Sequence, residues 1–273
     1  MMIEITTNIL DCGCIMNCLF CPQPTLLKNY KSNIRMLSFN DYKKAIDKIP
    51  SNIEIRFAGF SEPWLNKKTT DMILYAHEKG HKIYIFTTGV GLSAEAFKRI
   101  EHITFEMFVL HLPDKQQNAH HNITPEYIET IKYLKENVKV CRSSTWTKRN
   151  LTLDTMHMGV LHDSVKDIFP DSLNYQMSPR AYNLKNEYNI KPELKKKFLR
   201  EINHGEGNYT CNFPEGFHRN VMLPNGDMYL CCMDYGLEHK LGNIFEEDYL
   251  IIINRTNKTD WHLCQFCEWA CRV

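Results

Sequence analysis

The sequence predicts an α/β fold: a partial (βα)6 TIM-like barrel followed by a small C-terminal cysteine-rich module built from a β-hairpin and a helix. Three observations carry this expectation. From residue 2 to about residue 205, apolar strand-like runs alternate with helical ones, the pattern of βα units around a parallel sheet. About six such units fit, whereas a full eight-unit barrel takes about 250 residues, so the barrel is expected to be open. After HGEGNY the cysteines crowd together and Asn225-Gly226 stands between apolar runs, a strong hairpin signal. The change of style sets a boundary near residue 205, dividing 1–205 from 206–273.

The elements follow in order. IEITTNIL (Ile3 to Leu10) is the first strand. SFNDYKKAIDKI opens a helix at Ser38 with Asp41 three residues on, a capping-box pattern that puts Phe39, Tyr42, Ala45, Ile46 and Ile49 on one face. IEIRFAG is the second strand, and a helix from Thr70 to Lys79 stops at Gly80 before the third strand, KIYIFTTG. A helix Ser93 to Glu101, strand FEMFVLHL, helix Pro125 to Asn137 and strand VKVCRSS continue the alternation. Beyond Ser144 the pattern predicts a helix near Thr152 to Ile168, a strand near Leu173 to Met177 and a helix near Lys191 to Ile202. The basic run KPELKKKFLR within the last of these reads as a solvated helix face.

With 273 residues and 43% hydrophobic content, the chain can bury a sizeable core. Its formal net charge of +1, from 33 basic and 32 acidic residues, gives no electrostatic case for nucleic acid or an anionic membrane as partner. MMIEITTNIL lacks the basic, apolar and small-residue regions of a signal peptide, and no apolar run approaches the roughly 20 residues of a membrane span. The chain therefore reads as cytoplasmic. In such a compartment its eleven cysteines point to metal or cluster ligation rather than disulfides.

CGCIMNCLFC places Cys14, Cys18 and Cys21 at C-x3-C-x2-C in the loop after the first strand. Three thiolates can hold three irons of a 4Fe-4S cube and leave the fourth open to a chelating ligand. Zinc is the alternative, and would need a fourth ligand such as Cys12 or a distant residue.

CIMNCLFC, with Phe20 as the aromatic before the last cysteine, resembles the radical S-adenosylmethionine (radical SAM) superfamily, whose C-x3-C-x-aromatic-C loop follows the first strand of a partial βα barrel. The resemblance implies a site-differentiated 4Fe-4S cluster on Cys14, Cys18 and Cys21, with S-adenosylmethionine chelating the open iron and cleaved on one-electron reduction to methionine and a 5'-deoxyadenosyl radical. It implies further contacts to the cofactor. AGFSEP offers Ala58, Gly59 and Glu62 in place of a Gly-Gly-Glu motif, with an inserted residue before the acid. FTTG offers Thr87 and Thr88. His111, in VLHLPD, stands where relatives often place a serine, and is expected to contact cofactor or substrate, or to act as a base. Arg142, in VCRSS, is placed near the fifth strand to pair with a carboxylate.

The C-terminal segment resembles the auxiliary-cluster modules of the same superfamily, called SPASM when long and twitch when short. NGDMYLCC matches their hairpin and LGNI their recurrent Gly-Asn. The resemblance implies a second, fully ligated 4Fe-4S cluster on Cys211, Cys231, Cys264 and Cys267, with Cys231 chosen by its Gly-x4-Cys spacing. Cys232 and Cys271 are near enough to compete. Four cysteines alone would suit zinc as well. Cys12 and Cys141 are expected to be buried bystanders.

A single short module resembles in particular the twitch-bearing dehydrogenases that oxidise an aminocyclitol alcohol to a ketone, the auxiliary cluster accepting the second electron. This implies a small-molecule substrate and a reducing partner such as flavodoxin or ferredoxin. A peptide-modifying maturase is the alternative within the superfamily, disfavoured because only about ten residues precede the cluster loop. A zinc-stapled binding protein is the alternative outside catalysis.

Overall fold

The structure, a computed structural model, describes residues 1–141, 153–174, 180–181, 183, 202–211, 219–255 and 259–273. Its first half comprises β1 (Met2–Ile5), α1 (Gln23–Asn29), α2 (Phe39–Ile46), β2 (Glu54–Phe57), α3 (Thr69–Glu78), β3 (Ile83–Thr87), α4 (Ala94–Lys98), β4 (Thr104–Phe105), β5 (Met107–His111) and α5 (Pro125–Asn137). There follow β6 (Lys139–Val140), β7 (Asp154–His157), α6 (Asp163–Lys166), β8 (Leu173–Asn174), β9 (Tyr209–Cys211), β10 (Arg219–Met222), β11 (Asp227–Tyr229), β12 (Lys240–Asn243), α7 (Tyr249–Ile253) and β13 (Ala270–Arg272).

Nine strands make one sheet in the order β12-β11-β10-β1-β2-β3-β5-β7-β8. The six from β1 to β8 are parallel, giving the open (βα)6 arrangement. Period-2 alternation sorts their side chains. Ile3, Ile5, Ile55, Phe57, Ile83, Ile85, Phe108 and Leu110 pack into the core shared with Tyr42, Ala45 and Ile46 of α2 and Met72 and Ile73 of α3. The alternate positions, among them Glu4, Arg56, Tyr84, Phe86, Val109 and Asp154, occupy the other face, the interior of the partial barrel. There Glu4 and Arg56 are cross-strand partners and form an ion pair at 3.3 Å. The Arg56 guanidinium lies over the Phe86 ring at 4.7 Å.

Local chemistry sets the helix ends. Ser38 caps α2 by accepting from the Asp41 N–H at 3.0 Å, while its hydroxyl donates to the Asp41 carboxylate at 2.7 Å. Gly80, at φ +86°, ends α3 in the left-handed conformation expected of a C-terminal stop. The Asn225-Gly226 turn joins β10 to β11 as an antiparallel hairpin. Gly226 has φ +82°, and a Cβ there would lie 2.4 Å from the Phe245 ring. This hairpin continues the barrel sheet, because β10 pairs in parallel with β1 and covers what would be an open barrel's edge.

Two sequence expectations are corrected. VKVCRSS does not supply the fifth barrel strand: β6 pairs with β4 in a separate two-stranded ladder, and β7 takes the place beside β5. The helix expected near Thr152 to Ile168 is instead β7, a turn and the short α6. Gly159 at φ +82° breaks any helix there, and all four residues of β7 are buried, which a half-exposed surface helix would not allow. The helix expected over 191–202 (all but Ile202) and the end of the 173–177 strand fall outside the described residues, as does Arg142.

Candidate active site

The parallel strands deliver their loops to one end, where the cysteine loop lies. Backbone bonds from Asn17 N–H to Cys14 O and from Cys21 N–H to Cys18 O, both 3.0 Å, wind the loop into two tight turns. Asn17 sits at φ +37° in the first. The loop after β5 grips it from outside: Leu19 N–H donates to Asn118 O at 2.8 Å and His120 N–H to Met16 O at 2.7 Å.

The three thiols are within electrostatic reach of one another. Burial pushes Cys14 up to about 11, with the Cys21 and Glu62 charges adding to the rise. Cys18 is raised well above the usual thiol range by burial and by its two neighbours. Backbone N–H groups of Met16 and Glu62 favour the Cys14 thiolate. Such thiols stay protonated until a metal displaces the protons, and the N–H donors then fit an anionic cluster's sulfurs. Among the described residues no three Cys, His, Asp or Glu side chains converge on a single-ion position. A cube does not require that, since its ligands bind separate irons.

Glu62 lies at the end of the β2 loop and is buried. Its carboxylate accepts from Thr87 Oγ1 at 2.5 Å, Thr88 N–H at 2.7 Å, Thr88 Oγ1 at 2.8 Å and Trp64 N–H at 3.3 Å. Those four bonds occupy its lone pairs, and they oppose the upward push that burial exerts on its pKa. AGFSEP and FTTG, read separately from the sequence, are thus one clamp between the ends of β2 and β3. Gly59 has φ +74°, and a Cβ there would stand 2.2 Å from Thr6 Oγ1. It permits the loop to cross β1, and Phe60 N–H donates to that same hydroxyl at 3.2 Å. Ala58, just before it, is half-buried. Nearby, Asn8 Oδ1 and Ser61 Oγ are buried without a protein partner, leaving acceptors for a polar ligand group.

His111 ends β5 and stacks on Phe20 of the cysteine loop, with ring centroids 6.5 Å apart and planes 23° from parallel. Burial, with help from the Arg180 charge, pushes His111 down to about 3. The imidazole is therefore neutral at pH 7 and a weak base, so the geometry suits it to orienting a ligand better than to removing a proton.

The four C-terminal cysteines assigned to the second cluster come from three segments. Cys211 ends β9, Cys231 follows β11, and Cys264 and Cys267 lie in and just after the 3-10 helix His262–Phe266. Burial raises Cys264 and Cys267 each to about 12, with the Cys267 and Cys211 charges adding at Cys264 and the Cys211 and Cys232 charges at Cys267, while buried Cys231 feels Cys232, Cys267 and Cys264. Ala270 of β13 is the cross-strand partner of Cys211. Cys271 is paired with Thr210 and so occupies the opposite face of that ladder. Cys232 belongs to a different packing cluster, with Phe60, Tyr229 and Tyr235 and with Cys21 beside it. Cys12 and Cys141 are both exposed, not buried as expected.

Sequence reading missed Gln23 and Tyr235. Gln23 accepts from the Cys14 N–H at 3.3 Å, and its amide donates to Cys21 Sγ at 3.4 Å and to the Phe60 carbonyl. It follows Cys21 by two residues, but no spacing rule flags it. Tyr235 meets Cys21 Sγ at 3.9 Å across 214 residues, a contact no sequence pattern reveals.

Comparison with known proteins agrees with this architecture. Residues 9–158 match the Radical SAM superfamily, and residues 211–272 match SPASM, an iron-sulfur cluster-binding domain. The chain belongs to the radical SAM superfamily. Its cofactors are accordingly iron-sulfur clusters and S-adenosylmethionine. No curated protein matches it. Among solved structures, BtrN in complex with AdoMet and 2-DOIA is 16% identical with TM-score 0.56, over 92% of this chain and 80% of that one. Native anSMEcpe with bound AdoMet and Cp18Cys peptide is 13% identical with TM-score 0.56, over 98% and 82%. Streptococcus suis SuiB bound to S-adenosylmethionine is 15% identical with TM-score 0.50, over 91% and 64%. These likenesses are of fold. Among the described residues no helix is long and apolar enough to cross a membrane.

Proposed function

We propose that the chain is a radical SAM oxidoreductase acting on a small polar substrate, with a sugar or cyclitol alcohol as the favoured class. The observation that carries this reading is the barrel interior, where Glu4, Arg56 and Asp154 are buried on the inner face of the sheet. A polyol has the hydroxyl groups to bond with such a lining. The likeness in fold to BtrN, solved with AdoMet and 2-DOIA, supports the same reading.

Cys14, Cys18 and Cys21 would hold the first cluster. The cluster and S-adenosylmethionine supply the one-electron chemistry that removes a hydrogen atom from the substrate. Glu62 holds Thr87 and Thr88, which with Ala58 and Gly59 would bind S-adenosylmethionine. Phe20 and His111 close the side nearest the substrate and exclude water. Cys211, Cys231, Cys264 and Cys267 would hold an auxiliary 4Fe-4S cluster, which would supply an electron acceptor. A flavodoxin or ferredoxin supplies the electron that starts turnover.

The test is anaerobic incubation with dithionite, S-adenosylmethionine and deuterated cyclitols, sugars or peptides. The reading expects deuterium from a carbinol carbon in 5'-deoxyadenosine and a ketone product. Transfer only from a peptide would replace it with the maturase reading, which the likeness to peptide-bound anSMEcpe favours.

A further inference from the structure

We infer that Tyr235, from the C-terminal segment, is a positioning residue for the first cluster, donating a hydrogen bond to the Cys21 sulfur and thereby raising that cluster's reduction potential. The inference rests on the assignment of Cys21 as a cluster ligand.

Tyr235 is 2% exposed, and its phenol oxygen lies 3.9 Å from Cys21 Sγ. Its ring packs on Phe60 at 4.5 Å, and Phe60 belongs to the same loop as Gly59 and Glu62. With iron bound, the cysteine sulfur carries no proton. The phenol hydrogen is then the one available to the pair, so the tyrosine donates. A donor to a cluster sulfur withdraws charge from it and favours the more negative, reduced state.

The segment bearing the phenol is held stiffly. Asp234 N–H bonds Cys231 O at 3.1 Å, and the buried Asp234 carboxylate accepts from Glu238 N–H at 2.9 Å and His239 N–H at 2.8 Å. Tyr235 N–H bonds Met233 O at 2.9 Å. Three residues separate Cys231 from Tyr235, so the loop that leaves the auxiliary site ends on the first cluster's ligand. Ordering the second site therefore sets the position of a donor at the first. Gln23 supplies Cys21 with another donor, at 3.4 Å, from just after the last cysteine of the loop.

The experiment is an anaerobic potentiometric titration of the fully loaded enzyme with S-adenosylmethionine present. It follows the electron paramagnetic resonance signal that the cofactor perturbs, so that only the first cluster is read. Tyr235→Phe keeps the ring and removes the hydroxyl. We expect the reduction equilibrium constant to fall about tenfold, which is about 59 mV for one electron. An unchanged midpoint at unchanged iron content would overturn the inference. If Tyr235→Phe loads poorly, 3-fluorotyrosine at 235 strengthens the donor while keeping the packing. The midpoint must then rise, and a constant value overturns the inference. Cys21→Ala separates the two claims. If it retains the perturbed signal, the ligand assignment has failed. If it loses that signal while both Tyr235 substitutions leave the midpoint unmoved, only the tyrosine's role has failed.

Discussion

The hydroxyl of Thr87 donates to the Glu62 carboxylate at 2.5 Å, tying the end of β3 to the loop that leaves β2. With the two bonds from Thr88 and the one from Trp64, this makes Glu62 the junction of two segments, the end of β3 and the loop after β2. The carboxylate acts first by holding those segments in register.

Glu62→Gln should therefore cost stability as well as cofactor affinity. An amide nitrogen cannot accept the Thr88 or Thr87 bonds, and a buried donor left unsatisfied costs about 1–3 kcal/mol. Chemical denaturation of the loaded protein measures the first effect and equilibrium S-adenosylmethionine binding the second. A variant with wild-type stability and weakened binding would assign Glu62 to direct contact alone.

Gly59→Ala combines a positive φ with a Cβ placed 2.2 Å from Thr6 Oγ1. The expected loss is about 2–4 kcal/mol. Adding Thr6→Ala removes the clashing oxygen and should recover part of it, leaving the backbone strain. Equal stability of Gly59→Ala and wild type would contradict the close approach of β1 and the β2 loop.

The fold was legible wherever a strong local signal coincided with a long-range partner. Ser38 with Asp41, Gly80 and Asn225-Gly226 each did in the structure what their local chemistry requires. VKVCRSS misled because its apolar alternation is real, but pairing with β4 or with the main sheet is decided by neighbours 35 residues upstream. The C-x3-C-x2-C spacing of Cys14, Cys18 and Cys21 is visible in the sequence because it is local to one loop. The Glu62 clamp and the Tyr235 contact are not, since each joins side chains that only the sheet brings together.

His111 makes the protein's stability depend on pH. Its folded pKa is depressed to about 3, below the ordinary value of about 6.5, so the unfolded chain takes up the proton first as pH falls. Stability contributed by His111 is complete above about pH 6.5 and is lost progressively toward pH 3. From pH 7.5 to 5.5 the wild type should lose about 1 kcal/mol more than His111→Gln, measured by anaerobic denaturation. Parallel pH profiles would show that the imidazole is not held neutral.

Cys231 and Cys232 are adjacent yet pack differently, the first in the cluster that holds Cys264 and Cys267 and the second with Tyr235 and Phe60, although the Cys232 charge also reaches Cys267. Cys231→Ala should lose the auxiliary cluster's iron. Cys232→Ala should keep it, at a packing cost of about 1 kcal/mol. The reverse pattern of iron retention would exchange their roles.

The most direct measurement is iron and sulfide content together with 5'-deoxyadenosine formation in the wild type and in a variant with Cys211, Cys231, Cys264 and Cys267 all replaced by alanine. Two 4Fe-4S clusters require about eight irons in the wild type and about four in the variant. The variant, shown folded by circular dichroism, should still form 5'-deoxyadenosine while yielding little oxidised product. About four irons in the wild type, or full product formation by the variant, would contradict a closed auxiliary cluster that takes part in turnover.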